Sequence, residues 1–249
     1  MRSELARALA FQQGFARRRS PHAVDVPGGF AVLDDRYPYS YDDNKLIVWD
    51  AADPAAVLEA ADEVLAERGH RLVNVDSDEL GVAFAPAFAA AGYQHAENVV
   101  MAFRGDPPAG PPEAEHLDLP ALLPVLRRDW RADLPEAGEQ TIEQLAARVE
   151  TRLRGADLVG FRGVRAPDGE LAARADLYVH DGVAQIEDVY TTTRHRGRGH
   201  ARTLMRSLLA EAAGSEPIFL VADAADWPRE FYGRLGFAEV GRTHSFLRV

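Results

Sequence analysis

A strand that feeds a glycine-punctuated basic turn, which then opens an amphipathic helix, leaves few choices of fold, and residues 184–212 contain that unit. Ala184-Gln185-Ile186-Glu187-Asp188-Val189-Tyr190 is short and β-prone, bounded by Gly182 and by Thr191-Thr192-Thr193. After the turn, Ala201, Leu204, Met205, Leu208, Leu209 and Ala212 recur at the spacing of one helical face. The turn itself is Arg194-His195-Arg196-Gly197-Arg198-Gly199-His200. The first turn of a helix has unpaired N–H groups and the positive end of the macrodipole, and together they attract phosphate oxygens. Gly197 and Gly199 can take positive φ and let the backbone approach a ligand, while Arg194, Arg196, Arg198 and Arg202 add positive charge. The ligand this predicts is a diphosphate.

Spacing separates the diphosphate-binding families. A dinucleotide fold requires a third glycine where this chain has Arg202, and too little chain follows for its remaining strands and ribose-binding acid. A nucleotide-binding loop requires Gly-Lys followed by Ser or Thr, which is absent. Arg196-Gly197-Arg198-Gly199-His200-Ala201 instead resembles the acyl-CoA loop of the GNAT superfamily of N-acetyltransferases, Arg/Gln-x-x-Gly-x-Gly/Ala. Tyr232-Gly233-Arg234-Leu235-Gly236-Phe237 resembles a second motif of that superfamily, a helix ending in Tyr-x-x-Leu-Gly-Phe.

The surrounding pattern agrees with the resemblance over roughly residues 112 to 249. Leu117 to Trp130 and Thr141 to Leu153 read as helices, the second opening with Thr141 and Gln144 as a capping box. Leu158 to Val164 and Leu171 to Val179 read as a hairpin around Pro167-Asp168-Gly169. Pro217 to Ala222 reads as a buried strand, Trp227-Pro228 as the start of the last helix, and Ala238 to Gly241 and His244 to Arg248 as a closing pair of strands. The fold class implied is α/β (α+β), a GNAT fold with a mixed, mostly antiparallel central sheet flanked by helices.

The N-terminal half echoes the C-terminal one. Placing Gly92-Tyr93 over Gly236-Phe237 aligns Met101-Ala102-Phe103-Arg104 with Ser245-Phe246-Leu247-Arg248 without a gap. Upstream, the strand Arg71 to Asp76 matches that at 218–223. The helix Asp53 to Arg68, with Pro54 first and Gly69 after its end, matches that at 200–213. The expected organisation is a tandem, a degenerate GNAT-like domain at 1–110 and an intact catalytic domain at 111–249. Where the second copy has its basic loop, the first has Trp49-Asp50-Ala51-Ala52-Asp53, whose two acids repel a diphosphate, and Phe88 stands where the second has Tyr232. One acyl-CoA site per chain is expected, with the first copy shaping the substrate cleft or buttressing the sheet.

Composition limits the partners. The net charge of −11 opposes nucleic-acid binding and suits a cationic acceptor. Apolar runs such as Val82 to Ala91 are too short to span a bilayer, and the N-terminus, with Arg2, Glu4 and Arg7, lacks a signal-peptide core. With no cysteine there is neither a disulfide nor a thiolate site. His195 and His200 show no acid or histidine at ligand spacing, so no metal is expected. A cytoplasmic protein, monomer or homodimer, is the simplest expectation.

The resemblance implies acetyl-CoA as co-substrate and a primary amine of a small molecule as acceptor. A protein or peptide amine, or a non-catalytic acyl-CoA-binding role, is the alternative. An amine that arrives as ammonium must lose a proton before it attacks a thioester, and the leaving thiolate must gain one. Glu187 and Asp188 lie on the strand before the loop, and strand alternation turns at most one of them squarely into the cleft. Glu187 is the favoured base, with Asp188 and Asp223 in reserve. By the same resemblance Tyr232 is the general acid. Backbone groups of Val189 and Thr191 hold the pantetheine arm, while Arg196, Gly197, Arg198, Gly199, His200 and Ala201 hold the phosphates. Acceptor contacts are expected from Trp130 to Gln140, where Arg128 to Pro135 mixes aromatic and charged groups.

Overall fold

A computed structural model of the chain describes residues 3–225 and 228–249. Arg2 and Trp227 lie outside the described residues. The elements run α1 (Glu4–Arg19), β1 (His22–Val26), β2 (Gly29–Leu33), β3 (Lys45–Val48), α2 (Pro54–Val64), β4 (Arg71–Val75), α3 (Asp78–Ala90) and β5 (Gln94–Phe103). They continue as β6 (Glu115–Leu117), α4 (Leu119–Asp133), α5 (Glu139–Ala147), α6 (Val149–Arg152), β7 (Leu158–Arg165), β8 (Leu171–His180) and β9 (Val183–Thr191). A 3₁₀ turn (Thr193–His195), α7 (His200–Glu211), β10 (Ile218–Asp223), α8 (Pro228–Arg234) and β11 (Phe237–Arg248) complete the chain.

The eleven strands of the described residues join in one sheet, ordered β1-β2-β3-β4-β11-β5-β10-β9-β8-β7-β6. Only β3 with β4 and β9 with β10 are parallel, so the sheet is mixed and mostly antiparallel. β5 and β11 trade places at the centre. β5 pairs with β10 on one side and β11 on the other, and β11 pairs with β5 and β4. Each half of the chain therefore places its last strand between two strands of the other half. Both exchanged strands follow a glycine in the left-handed region, Gly92 at φ 83° and Gly236 at φ 98°.

Strand alternation sorts the side chains onto two faces. On one, Leu46, Val48, Val73 and Val75 pack under α2 and α3, while Ala184, Ile186, Ile218, Leu220 and Ala222 pack under the Leu204, Met205, Leu208, Leu209 stripe of α7. On the other, α1 buries Ala8, Phe11 and Phe15 against Val100, Tyr178 and Phe219. Phe15 stacks on Tyr178 at 4.4 Å and Phe11 meets Phe219 edge-on at 5.7 Å. Burying a phenylalanine of this kind contributes about 1.5–3 kcal/mol, which pins α1 across the sheet.

Several boundaries differ from those read in the sequence. The closing pair of strands is one strand, β11, whose bulge between Glu239 and Gly241 absorbs the break in alternation. The helix expected at 141–153 starts at Glu139 behind Gly138, forms no side-chain cap, and divides at Arg148 into α5 and α6. Leu117 belongs to β6, and α4 begins two residues later, capped by Asp118. The helix expected at 53–68 ends at Val64.

Candidate active site

The parallel pairing of β9 with β10 is confined to Ile218 with Ala184 and Phe219 with Gln185. Beyond that point β10 continues along β5, through Asp223 opposite Asn98, while β9 continues along β8 to Thr191 opposite Ala173. The two strands part, leaving the β10-facing edge of residues 186–191 with no strand of the described residues against it. The other parallel pair stays closed, because β3 matches β4 from Leu46 with Val73 to Val48 with Val75, and Asp76 N–H extends the ladder to Val48 at 2.7 Å.

The glycine turn lies at the open end of the split. Gly197 sits at φ 74° and Gly199 at φ 90°, and among the described residues nothing beyond the adjoining backbone and the flanking residues stands within 4 Å of a β-carbon built on either. Backbone conformation and access from outside, rather than crowding within the protein, therefore explain the glycines. Gly199 caps α7 with no side-chain hydrogen bond, so the first-turn N–H groups of α7 receive no acceptor from the cap residue. At α2 the same position is occupied by Asp53, whose Oδ1 accepts the N–H of Ala55 at 3.0 Å. The turn is anchored from behind. His195, buried, shares a hydrogen bond of 2.9 Å with Glu170 of the β7–β8 hairpin, to which Arg194 and Arg128 also bond. The expectation that His195 has no acidic partner is corrected, because the hairpin brings in a residue distant in sequence. His200 packs edge-on against His195 at 5.8 Å, and Arg196 donates to Thr191 O at 3.2 Å.

On the α1 face the split opens into a cavity of about 480 Å³. Glu187 and Asp188 both line it. The expected alternation fails because the β8–β9 register shifts between Arg174 and Asp176, and Asp188 takes φ 54° in the resulting bulge. Val189 returns to the opposite face, against the α7 core.

The two acids have different surroundings. Asp188 accepts from Arg152 at 3.1 Å and pairs with Arg174 at 2.9 Å. Burial works to raise its pKa, yet Arg174 and Arg152 hold it below the usual carboxylate value. Behind it, Arg152 bonds Asp176 at 2.5 Å, Tyr178 Oη donates to Asp176 at 2.6 Å, and Arg174 reaches Asp129 at 3.1 Å. Glu187 has no ion pair among the described residues. It accepts one hydrogen bond, from Gln185 Nε2 at 2.5 Å, and burial pushes it up to about 7 even though Arg152 pulls the other way. Asp223 also lines the cavity, exposed, with its Oδ1 accepting from Ala225 N–H at 2.7 Å.

Tyr232, on α8, lies on the opposite face, in the core it shares with α7, and is 8% exposed. Burial, and after it the Glu187 charge, pushes the phenol up to about 12. A phenol that keeps its proton at neutral pH is able to donate it.

The cavity wall differs from the one expected. Of residues 130–140 Trp130 lines it, and Arg131 to Gln140 are not in its wall. Leu126, Leu145, Arg148 and Arg152 supply this side, and nearly half of the lining comes from the N-terminal half, including Gln13, Arg19, Asp42, Lys45, Asn74 and Asp76. The available sequence signal was polar residues at inward positions of otherwise apolar strands, such as Asn74 and Asp76.

The model of the acetyltransferase (GNAT) family matches residues 119–237. No curated protein matches the chain. Among solved structures, a GCN5-related N-acetyltransferase from Kribbella flavida superposes with a TM-score of 0.63 at 21% identity, covering 99% of this chain and 95% of that one. A conserved protein of unknown function from Staphylococcus epidermidis gives 0.67 at 13% identity, with 90% and 92% covered. A tandem GNAT protein from the clavulanic acid biosynthesis pathway gives 0.51 at 18% identity, with 78% and 68% covered. At these identities the likeness is one of fold. Among the described residues, no helix is long and apolar enough to cross a membrane.

Proposed function

We propose that this chain, whose residues 119–237 match the model of the acetyltransferase (GNAT) family, transfers the acetyl group of acetyl-CoA to a primary amine of a small molecule. The observation that carries the reading is Glu187, a recessed carboxyl with no ion pair among the described residues, pushed by burial up to about 7, at the point where the β9–β10 split meets the cavity. A base with a pKa near the working pH combines adequate ionisation with proton affinity.

The residues present fit the co-substrate. The N-terminus of α7 and the backbone of 197–200 receive the diphosphate, with Arg196 and Arg198 beside it. The free edge of β9 at Val189 and Thr191 pairs with the amide-bearing pantetheine arm and aims an N–H at the thioester carbonyl. His200 and Ala201 begin the helix beneath the phosphates.

Glu187 accepts a proton from the acceptor ammonium, directly or through a water. The freed nitrogen attacks the thioester carbonyl, the C–N bond forms, and the β9 N–H stabilises the oxyanion. Collapse breaks the C–S bond as Tyr232 protonates the departing thiolate from the other face of the sheet; the nitrogen gives up its second proton to solvent, and solvent returns one to the Tyr232 phenolate. Asp188 keeps Arg152 and Arg174 in place and is a weak base because both hold it ionised.

Residues 1–110 serve as a degenerate copy and residues 111–249 as the catalytic domain. The closed β3–β4 pair, the Asp53 cap and Phe88 in place of Tyr232 leave the first copy without a cofactor cleft. Its part is the cavity wall. Because α1 covers the cavity, a small acceptor fits better than a protein tail.

Release of free thiol from acetyl-CoA across an amine panel, with mass spectrometry of the acceptor, tests the reading. Turnover that Glu187→Gln abolishes is the expected result. Acetyl-CoA binding without turnover of any amine would leave a non-catalytic acyl-CoA-binding protein.

A further inference from the structure

The cavity has a second acidic pole, far from the reacting one. Asp76, just past β4, lines its floor beside Asn74, Asn98 and Gln13. Its carboxylate accepts one side-chain hydrogen bond, from the uncharged Gln13 Nε2 at 3.0 Å. The cations of the cavity wall are already engaged. Arg19 pairs with Asp42 at 2.5 Å and Asp43 at 3.3 Å, Arg148 with the same two at 3.4 and 3.3 Å, Lys45 with Asp42, and Arg152 with Asp176 and Asp188. Asp76 and Glu187 are thus the recessed cavity carboxyls with no ion pair among the described residues. Burial pushes Asp76 up to about 6, against the Gln13 bond and the attraction of Lys45. A desolvated carboxylate in that position gains from a bound cation what burial has cost it.

The two poles are well separated. Between β4 and β9 the sheet places β11, β5 and β10, so the strands are four spacings apart, roughly 19 Å along the sheet at ~4.8 Å each. A compact monoamine with its nitrogen at Glu187 does not extend to Asp76, whereas an elongated molecule with charges at both ends does. We propose that Asp76 is the distal recognition point of the acceptor, taking the second ammonium group of an elongated di- or polyamine whose reacting amine lies at Glu187. The proposal rests on the acetyl-transfer reading for the reacting end, and it gives the half of the chain without a glycine loop a role in choosing the acceptor.

The test is calorimetric binding of butylamine, spermidine and spermine to the full chain saturated with free CoA, for the wild type and Asp76→Asn. The wild type is expected to bind spermine at least tenfold more tightly than butylamine, and Asp76→Asn to shrink that ratio to within about threefold. Equal binding of the three amines by the wild type, which needs no variant to fold, overturns the proposal. So does a spermine preference that survives in Asp76→Asn with an unchanged melting temperature. Thiol release from acetyl-CoA is measured separately. Polyamine binding that depends on Asp76 but yields no thiol would refute acetyl transfer and leave the distal site standing. Turnover of butylamine and spermine with equal kcat/KM would refute the distal site alone.

Discussion

Glu187 and Asp188 are sequence neighbours that face the same cavity, because the backbone at Asp188 turns to φ 54°. Their roles diverge through their partners. Arg152 and Arg174 hold Asp188 ionised, while Glu187, recessed without a cation of its own, titrates near 7. Activity is expected to rise with pH as Glu187 loses its proton and to level off above about 7. Glu187→Gln should lower kcat by roughly 10²–10⁴-fold and abolish that limb. A pH–rate profile of both proteins checks this, and a limb that persists in Glu187→Gln assigns the base elsewhere.

The same residue lowers stability at working pH. Its folded pKa of about 7 lies above the ordinary 4.5, so the folded state binds the proton more tightly than the unfolded one. Its contribution is intact below 4.5 and is lost as pH rises through 7. Glu187→Gln should therefore be more stable than the wild type at pH 8, by on the order of 1–3 kcal/mol, and melt higher, while both melt alike near pH 4. Thermal unfolding at the two pH values decides.

Tyr232→Phe removes one oxygen from a packed ring, so stability should change by less than about 1.5 kcal/mol. If the phenol protonates the thiolate, kcat falls roughly 10-fold or more with the KM for acetyl-CoA little altered. Unaltered kcat would return Tyr232 to the core alone.

Gly199→Ala places a β-carbon on a residue at φ 90°, where among the described residues nothing beyond the adjoining backbone and the flanking residues stands within 4 Å of it. The strain costs about 1–2 kcal/mol, and the added methyl stands where the phosphates approach. The KM for acetyl-CoA is expected to rise by about an order of magnitude or more, measured by initial rates with the acceptor saturating.

Because β5 lies between β10 and β11, residues 111–249 expressed alone lack the strand that joins their last two. The fragment should be insoluble or unfolded by circular dichroism, and co-expression with residues 1–110 should restore a folded complex. A stable, CoA-binding fragment would show that β11 closes directly onto β10.

The local sequence determined the parts of this protein whose chemistry is local. The Ile186 strand, the Gly197 and Gly199 turn and the Leu204 to Leu209 stripe declare themselves, because periodicity and glycine freedom are properties of neighbouring residues. Gly92-Tyr93 and Gly236-Phe237 stand just before or at the start of the two exchanged strands, β5 and β11. Tertiary structure decided the rest. Strand exchange, the bulge that turns Asp188 beside Glu187, the His195–Glu170 anchor and the joining of Asp76 to the Glu187 cavity depend on contacts between residues far apart in the chain. A carboxylate acquires its pKa from burial and from the guanidinium groups brought to it. Neither exists until the sheet closes.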